Sequence, residues 1–182
     1  DGNVNVRVAA AGQLSVNPPE SARDAVLSAL VRSTETDVRE MLAFSAGYFP
    51  GERTVAILRS IAAGKEVLAS NARMALARLG DKAGREALVA DLGSSDARVR
   101  YETVGGLRYV NDPALASHVK PLLRDTEDVQ ALGSERSRRY RRVCDEAVDT
   151  LVYLLKLRLP FPADEETIYT GEQLLQVQDM TR

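Results

Sequence analysis

The amino-acid sequence predicts an all-α protein, an α-solenoid of about four stacked helical hairpins. Three observations predict it. First, an apolar phrase returns: Val38 to Phe49 breaks at Pro50-Gly51, Leu68 to Leu79 at Gly80-Asp81, and Val99 to Val110 at Asn111-Asp112-Pro113, and Val143 opens a fourth copy that runs to Leu151. Second, the steps between copies are 30, 31 and 44 residues, the spacing of helical repeat arrays. Third, a shorter stretch of helical apolar period lies between successive copies, so the unit is two helices and two turns. One such hairpin cannot cover its own apolar face, whereas stacked neighbours cover each other.

The elements follow in order. Residues 1–19 differ from the rest: Val4, Val6 and Val8 alternate with Asn3, Asn5 and Arg7, a period of two that predicts an extended N-terminal arm closed by Pro18-Pro19. The repeat domain spans 20–158. Ser21 and Asp24 have the spacing of a helix start, and Ala22, Val26, Ala29 and Leu30 form the stripe behind it. Asp37 opens the next helix. Val55, Leu58 and Ile61 mark another, and Ala87, Leu88 and Leu92 a short one ending at Gly93. Asp112-Pro113 is a start signal, since Asp caps free N–H groups and Pro has none to leave unpaired; Leu115, Val119, Leu122 and Leu123 carry that helix to Asp125.

The long step places an insertion of about 13 residues near 126–140, between the two helices of the last repeat. The helix after it, 141–157, is apolar nearly all round, which requires cover on every side. Leu159-Pro160-Phe161-Pro162 then turns the chain, and Thr170 with Gln173 makes a capping box for a short last helix carrying Leu174, Leu175 and Val177. Residues 159–182 are expected to fold back as a C-terminal cap, which a repeat array needs at its open end.

The stretch Asp96-Ala97-Arg98-Val99-Arg100-Tyr101-Glu102-Thr103-Val104-Gly105-Gly106-Leu107, with Asn111-Asp112-Pro113-Ala114-Leu115 and Val119-x-x-Leu122-Leu123, resembles a HEAT-type (armadillo-like) repeat. It is most similar to the short variety, about 30 residues long, of phycobilisome lyases and many bacterial proteins. The resemblance is sharpest over 66–125, extends back to 21 and on to 157, and is absent from the N-terminal arm. It implies a fold rather than an activity, with the second helix of each hairpin lining the concave face. The 44-residue step and the all-round apolar last helix depart from the pattern.

Composition narrows the function classes. Hydrophobic residues make up 45% and charged residues 27% of the 182, a globular balance. Net charge is −2, so the global positive excess of a typical nucleic-acid binder is missing. Twenty of the 24 basic residues are Arg. One His and one Cys leave no set of transition-metal ligands and no internal disulfide, and no cofactor is expected. No apolar run approaches about 18 residues, so no membrane span is expected. The opening Asp1 suits a processed or trimmed chain, and bacterial cytoplasm and periplasm are both compatible with the composition.

Two constellations stand out. In the insertion, Arg136, Arg138, Arg139, Arg141 and Arg142 fall within seven residues around Tyr140. Guanidinium forks suit phosphate or carboxylate and the ring suits stacking; equally, Arg141 and Arg142 can pair within the helix with Asp145 and Glu146 four residues on. Asp145, Glu146 and Asp149 read as surface charge. The second constellation is a register: Tyr48, Arg78, Tyr109 and Tyr153 recur at equivalent positions of successive second helices, either as packing between repeats or as a ladder facing a partner. His118 reads as a packed or surface residue, Cys144 as a buried one, and Gly105-Gly106 as a place where helices approach closely.

These features predict a non-enzymatic scaffold that binds another protein through the concave face and the Arg-rich insertion. The alternative is an anion- or nucleic-acid-binding use of the fold, of the kind the resemblance implies through HEAT-like DNA glycosylases and bilin lyases. The lack of Trp and of net positive charge weighs against the glycosylase form.

Overall fold

The computed structural model describes residues 4–14, 16–64, 67–134, 137–164 and 166–182. Ten α-helices and one two-stranded hairpin occur among them, so the chain is of the all-α class with a small β addition. It falls into two compact units, Asp1–Leu88 and Val89–Arg182.

The first unit holds α1 (Val4–Leu14), α2 (Arg23–Arg32), α3 (Thr36–Ala46), α4 (Glu52–Ala62), α5 (Val67–Arg78) and the start of α6 (Lys82–Leu92). Helix α3 packs on α1, α2 and α5, and α4 on α5. The core between them is hydrocarbon: Val26, Leu27, Leu30, Leu42, Phe49, Leu58 and Leu76 are each at most 3% exposed. The extended N-terminal arm is overturned, because residues 4–14 are helical. Ala11 is buried and Val8 and Leu14 pack on the same core. Positions 8, 11 and 14 share a helical face, and its burial overrides the strand preference of valine.

Turns in this unit follow from local chemistry. Asp81 starts α6 by accepting the Gly84 N–H at 2.9 Å, while Arg59 of α4 holds its other oxygen at 2.6 Å. Gly84 permits the close approach of α5 and α6: a Cβ there would lie 2.7 Å from that of Leu76. The Asn71 amide of α5 reaches the Glu40 carbonyl of α3 at 3.5 Å.

The second unit holds α7 (Ala97–Val110), α8 (Ala116–Val119), β1 (Asp128–Leu132), β2 (Arg139–Arg142), α9 (Val143–Leu155) and α10 (Gly171–Met180). Asp96 caps α7 by accepting the Arg98 N–H at 2.8 Å, and Asn111, in left-handed conformation, ends it. Asp112 caps the next turn as expected. The helix predicted from there to Asp125 is broken, however, into two 3-10 segments around α8. Pro121 cannot donate the N–H that a continuous helix needs.

The insertion forms an antiparallel hairpin, with Leu132 opposite Arg139 and Gln130 opposite Arg141. The last long helix therefore begins at Val143 instead of 141. Helix α9 packs on α7 and on the 3-10 turn Lys120–Arg124, and α10 covers that turn and α9. Thr170 and Gln173 make the expected capping box. No helix is long and apolar enough to cross a membrane among the described residues.

Candidate functional site

The second unit carries an open cleft of about 660 Å³. Two helices form its walls by spacing alone. Tyr101 and Arg108 stand seven residues apart on α7, and Glu146, Asp149 and Tyr153 follow a three-then-four spacing on α9, so each set shares a face. The hairpin adds Gln130 and Arg141. The segment between α9 and α10 adds Leu159, Ala163, Asp164 and Tyr169.

A layer of paired charges lies at the base. Arg141, with a side chain 4% exposed, holds Asp149 at 2.5 Å and Glu146 at 3.5 Å. Arg108 takes the other Glu146 oxygen at 2.7 Å and donates to the Thr150 hydroxyl at 3.1 Å, which in turn donates to the Val104 carbonyl. Tyr169 donates its hydroxyl to Asp149 at 2.6 Å and its ring packs edge-on to Phe161. Below this, fully buried Asp145 accepts the backbone N–H groups of Arg142 and Tyr169 and the Arg142 guanidinium, and Arg142 also donates to the Tyr169 carbonyl at 2.6 Å. Buried charges survive only when matched in this way.

Gly105 sets the spacing of the two walls. A Cβ on it would sit 2.8 Å from Glu146 Oε1, so any side chain there displaces the carboxylate from Arg108. The sequence reading of this glycine as a close-approach point matches the contact.

The environment shifts several groups. Burial, reinforced by the Glu146 charge, pushes the Tyr101 hydroxyl up to about 12, and that hydroxyl donates to Gln130 at 2.5 Å. Burial and the bond to Asp149 raise Tyr169 further. Burial works against the Arg141 charge, but the Asp149 hydrogen bond outweighs it and the guanidinium is held more firmly protonated. At the rim, the Thr167 hydroxyl and the Glu166 N–H hold Asp164 below the usual carboxylate range. Burial pushes the Cys144 thiol up to about 11.

The expected site residues are dispersed. Arg136 lies outside the described residues. Arg138, Arg139 and Tyr140 are exposed on the hairpin. Arg141 and Arg142 are turned inward and hold carboxylates, though not the partners that four-residue spacing suggested: Arg141 pairs with Glu146 and Asp149, and Arg142 with Asp145. Tyr48 and Arg78, 30 residues apart in the sequence, do meet, the guanidinium 4.0 Å from the ring centre. Tyr109 is half-buried on α7 and does not line the cleft, whereas Tyr153 does.

The reading of Asp145, Glu146 and Asp149 as surface charge is corrected: Asp145 is 0% and Glu146 4% exposed, with Asp149 half-buried. The hairpin delivers Arg141 to them from outside the helix, an interaction that four-residue spacing within a helix does not reveal. His118 is exposed. No cluster of metal-ligating side chains occurs among the described residues. Compared with known protein families and with curated proteins, the sequence matches none.

Proposed function

We propose that this protein is a non-enzymatic, HEAT-like helical-repeat module that binds another protein, with the cleft of the second unit as its contact point. The observation that carries the reading is the state of the cleft's ionisable groups. Glu146 is held by two guanidiniums and Asp149 by one guanidinium and one phenol. Carboxylates held by charge-assisted bonds of this kind build a rigid, preorganised surface. Above them the cleft offers the half-exposed Tyr153 ring and aliphatic Leu159 and Val152, the mixture that interface centres favour.

Contacts at repeat spacing support the solenoid reading. Helix α3 packs on α5 and α7 on α9, and the Asn71–Glu40 bond joins residues 31 apart, one repeat step. Under this reading α10 is the cap of the array and the hairpin an elaboration of its last repeat.

A photo-crosslinking residue at position 153 tests the module reading, with one at exposed Ala25 as control. A discrete protein adduct from position 153 alone is expected; equal labelling from both positions overturns it. A second reading, nucleic-acid binding, rests on exposed Arg138, Arg139 and Tyr140. Duplex and single-stranded DNA titrated at two salt concentrations check it, because phosphate contacts lose affinity steeply with salt. Binding that disappears in Arg138→Ala/Arg139→Ala favours this second reading over the first.

A further inference from the structure

We propose that the cleft takes one arginine side chain from a basic segment of a partner protein; this deepens the interaction-module reading and rests on it. Charge balance is the first argument. Among the described residues the cleft lining contains three carboxylates, Glu146, Asp149 and Asp164, against two guanidiniums, Arg108 and Arg141. The two guanidiniums pair with Glu146 and Asp149; the Arg141 charge also reaches Asp164 at the rim, and the described lining keeps one negative charge in excess. The Asp164 Oδ1 accepts from Glu166 N–H and the Thr167 hydroxyl, and its Oδ2 has no hydrogen-bond donor among the described residues. One added cation neutralises the lining.

The second argument is the neighbouring ring. Tyr48 and Tyr153 occupy the same register of the repeat. The Tyr48 ring is covered by the Arg78 guanidinium at 4.0 Å. Tyr153 is 49% exposed, lines the cleft that Asp164 also lines, and has no cation over it among the described residues. A planar guanidinium satisfies both groups at once, stacking on the tyrosine face while its edge donates to the carboxylate. Aliphatic Leu159 and Val152 suit the methylene stem behind such a head group. An acidic partner meets repulsion from Asp164, and a neutral apolar one leaves its Oδ2 unsatisfied.

The test uses the full chain and fluorescently labelled pentapeptides Gly-Gly-X-Gly-Gly, with X as Arg, Lys, citrulline or Glu, read by anisotropy at low and moderate salt. The Arg peptide is expected to bind most tightly, with Lys second and citrulline and Glu showing no saturable binding. Asp164→Asn and Tyr153→Ala should each weaken the Arg peptide by about twofold to fivefold, the span of one exposed ion pair and one exposed cation–π contact. Both side chains are exposed, and circular dichroism checks that each variant is folded. Equal binding of citrulline and Arg peptides, or an Arg affinity untouched by both variants, overturns the proposal, as does absence of binding at millimolar peptide. If crosslinking at position 153 captures a protein whose binding is indifferent to Asp164→Asn and to added Arg peptide, the arginine assignment fails while the module reading stands.

Discussion

In the first unit the buried side chains are almost all hydrocarbon, and Asp81 is the one buried charge among the described residues, whereas the second unit buries Arg100, Arg141, Asp145 and Glu146. Each half of the chain is thus held together internally by different means. Hydrocarbon burial is non-directional and roughly proportional to area, so α1–α5 are expected to tolerate apolar exchanges that keep the volume. A buried ionic layer is directional: each group is accommodated because its partner is in place, and removing one leaves the other stranded. The second unit is therefore the more exactingly specified half, and it is the half with the cleft.

The largest effect is expected from Asp145→Ala. It removes the acceptor of two backbone N–H groups and of the Arg142 guanidinium, and should destabilise the second unit by about 3–5 kcal/mol. Cys144 supplies the readout. Its thiol is buried and pushed up to about 11, so it should react with a disulfide reagent only when that unit opens, and the variant should label much faster.

Next, Leu58→Ala in the first unit, at a fully buried site, should cost about 3 kcal/mol in urea unfolding, and Leu58→Met less than about 1.5 kcal/mol. A large loss from the Met exchange would mean that the first unit is as exacting as the second.

Gly105→Ala should cost about 1–3 kcal/mol by pushing Glu146 off Arg108, and should weaken any ligand of the cleft in the same variant. A smaller effect is expected from pH, with opposite signs in the two units. Tyr101 rises from 10.0 to about 12 in the folded state, so its contribution is complete below about pH 10 and is lost as pH climbs toward 12. Asp81 is lowered from 3.8, first by the Gly84 N–H, so its contribution holds above that value and fades as pH falls below it. An alkaline melt followed by Cys144 labelling reads the second unit, and an acid melt followed by far-UV circular dichroism reads the loss that starts from Asp81. The smallest effect is Arg59→Ala: its side chain is 62% exposed and Asp81 keeps the Gly84 bond, so the loss should stay under about 1 kcal/mol.

Much of the helical architecture was legible because it rests on local signals. The Asp112-Pro113 start, the Thr170–Gln173 box and the breaks at Pro50-Gly51 and Asn111 each act within a few residues. The N-terminal arm misled because valines at 4, 6 and 8 suit a strand, while the face of Val8, Ala11 and Leu14 is decided by what it packs against. The cleft was half legible. Arg-rich 136–142 and the acids of 145–149 were both visible, and their meeting was not, since the hairpin between them sets which groups face inward. The spacing of Glu146, Asp149 and Tyr153 on one face of α9 was the available signal, and it points to a wall only once α7 stands opposite.

The hairpin has a consequence for anyone who wishes to modify this molecule. Its root is closed by two backbone bonds, Cys144 N–H to the Asp125 carbonyl at 2.8 Å and Val143 N–H to the Glu127 carbonyl at 3.2 Å. Its tip turns at Gly133, whose φ of +82° few other residues accept. A chain pinned at its base transmits little from its tip, so the tip is a natural graft point. A reporter peptide or small domain spliced between Gly133 and Arg138 hangs from a fixed stem, leaving the helices beneath to fold as they do now.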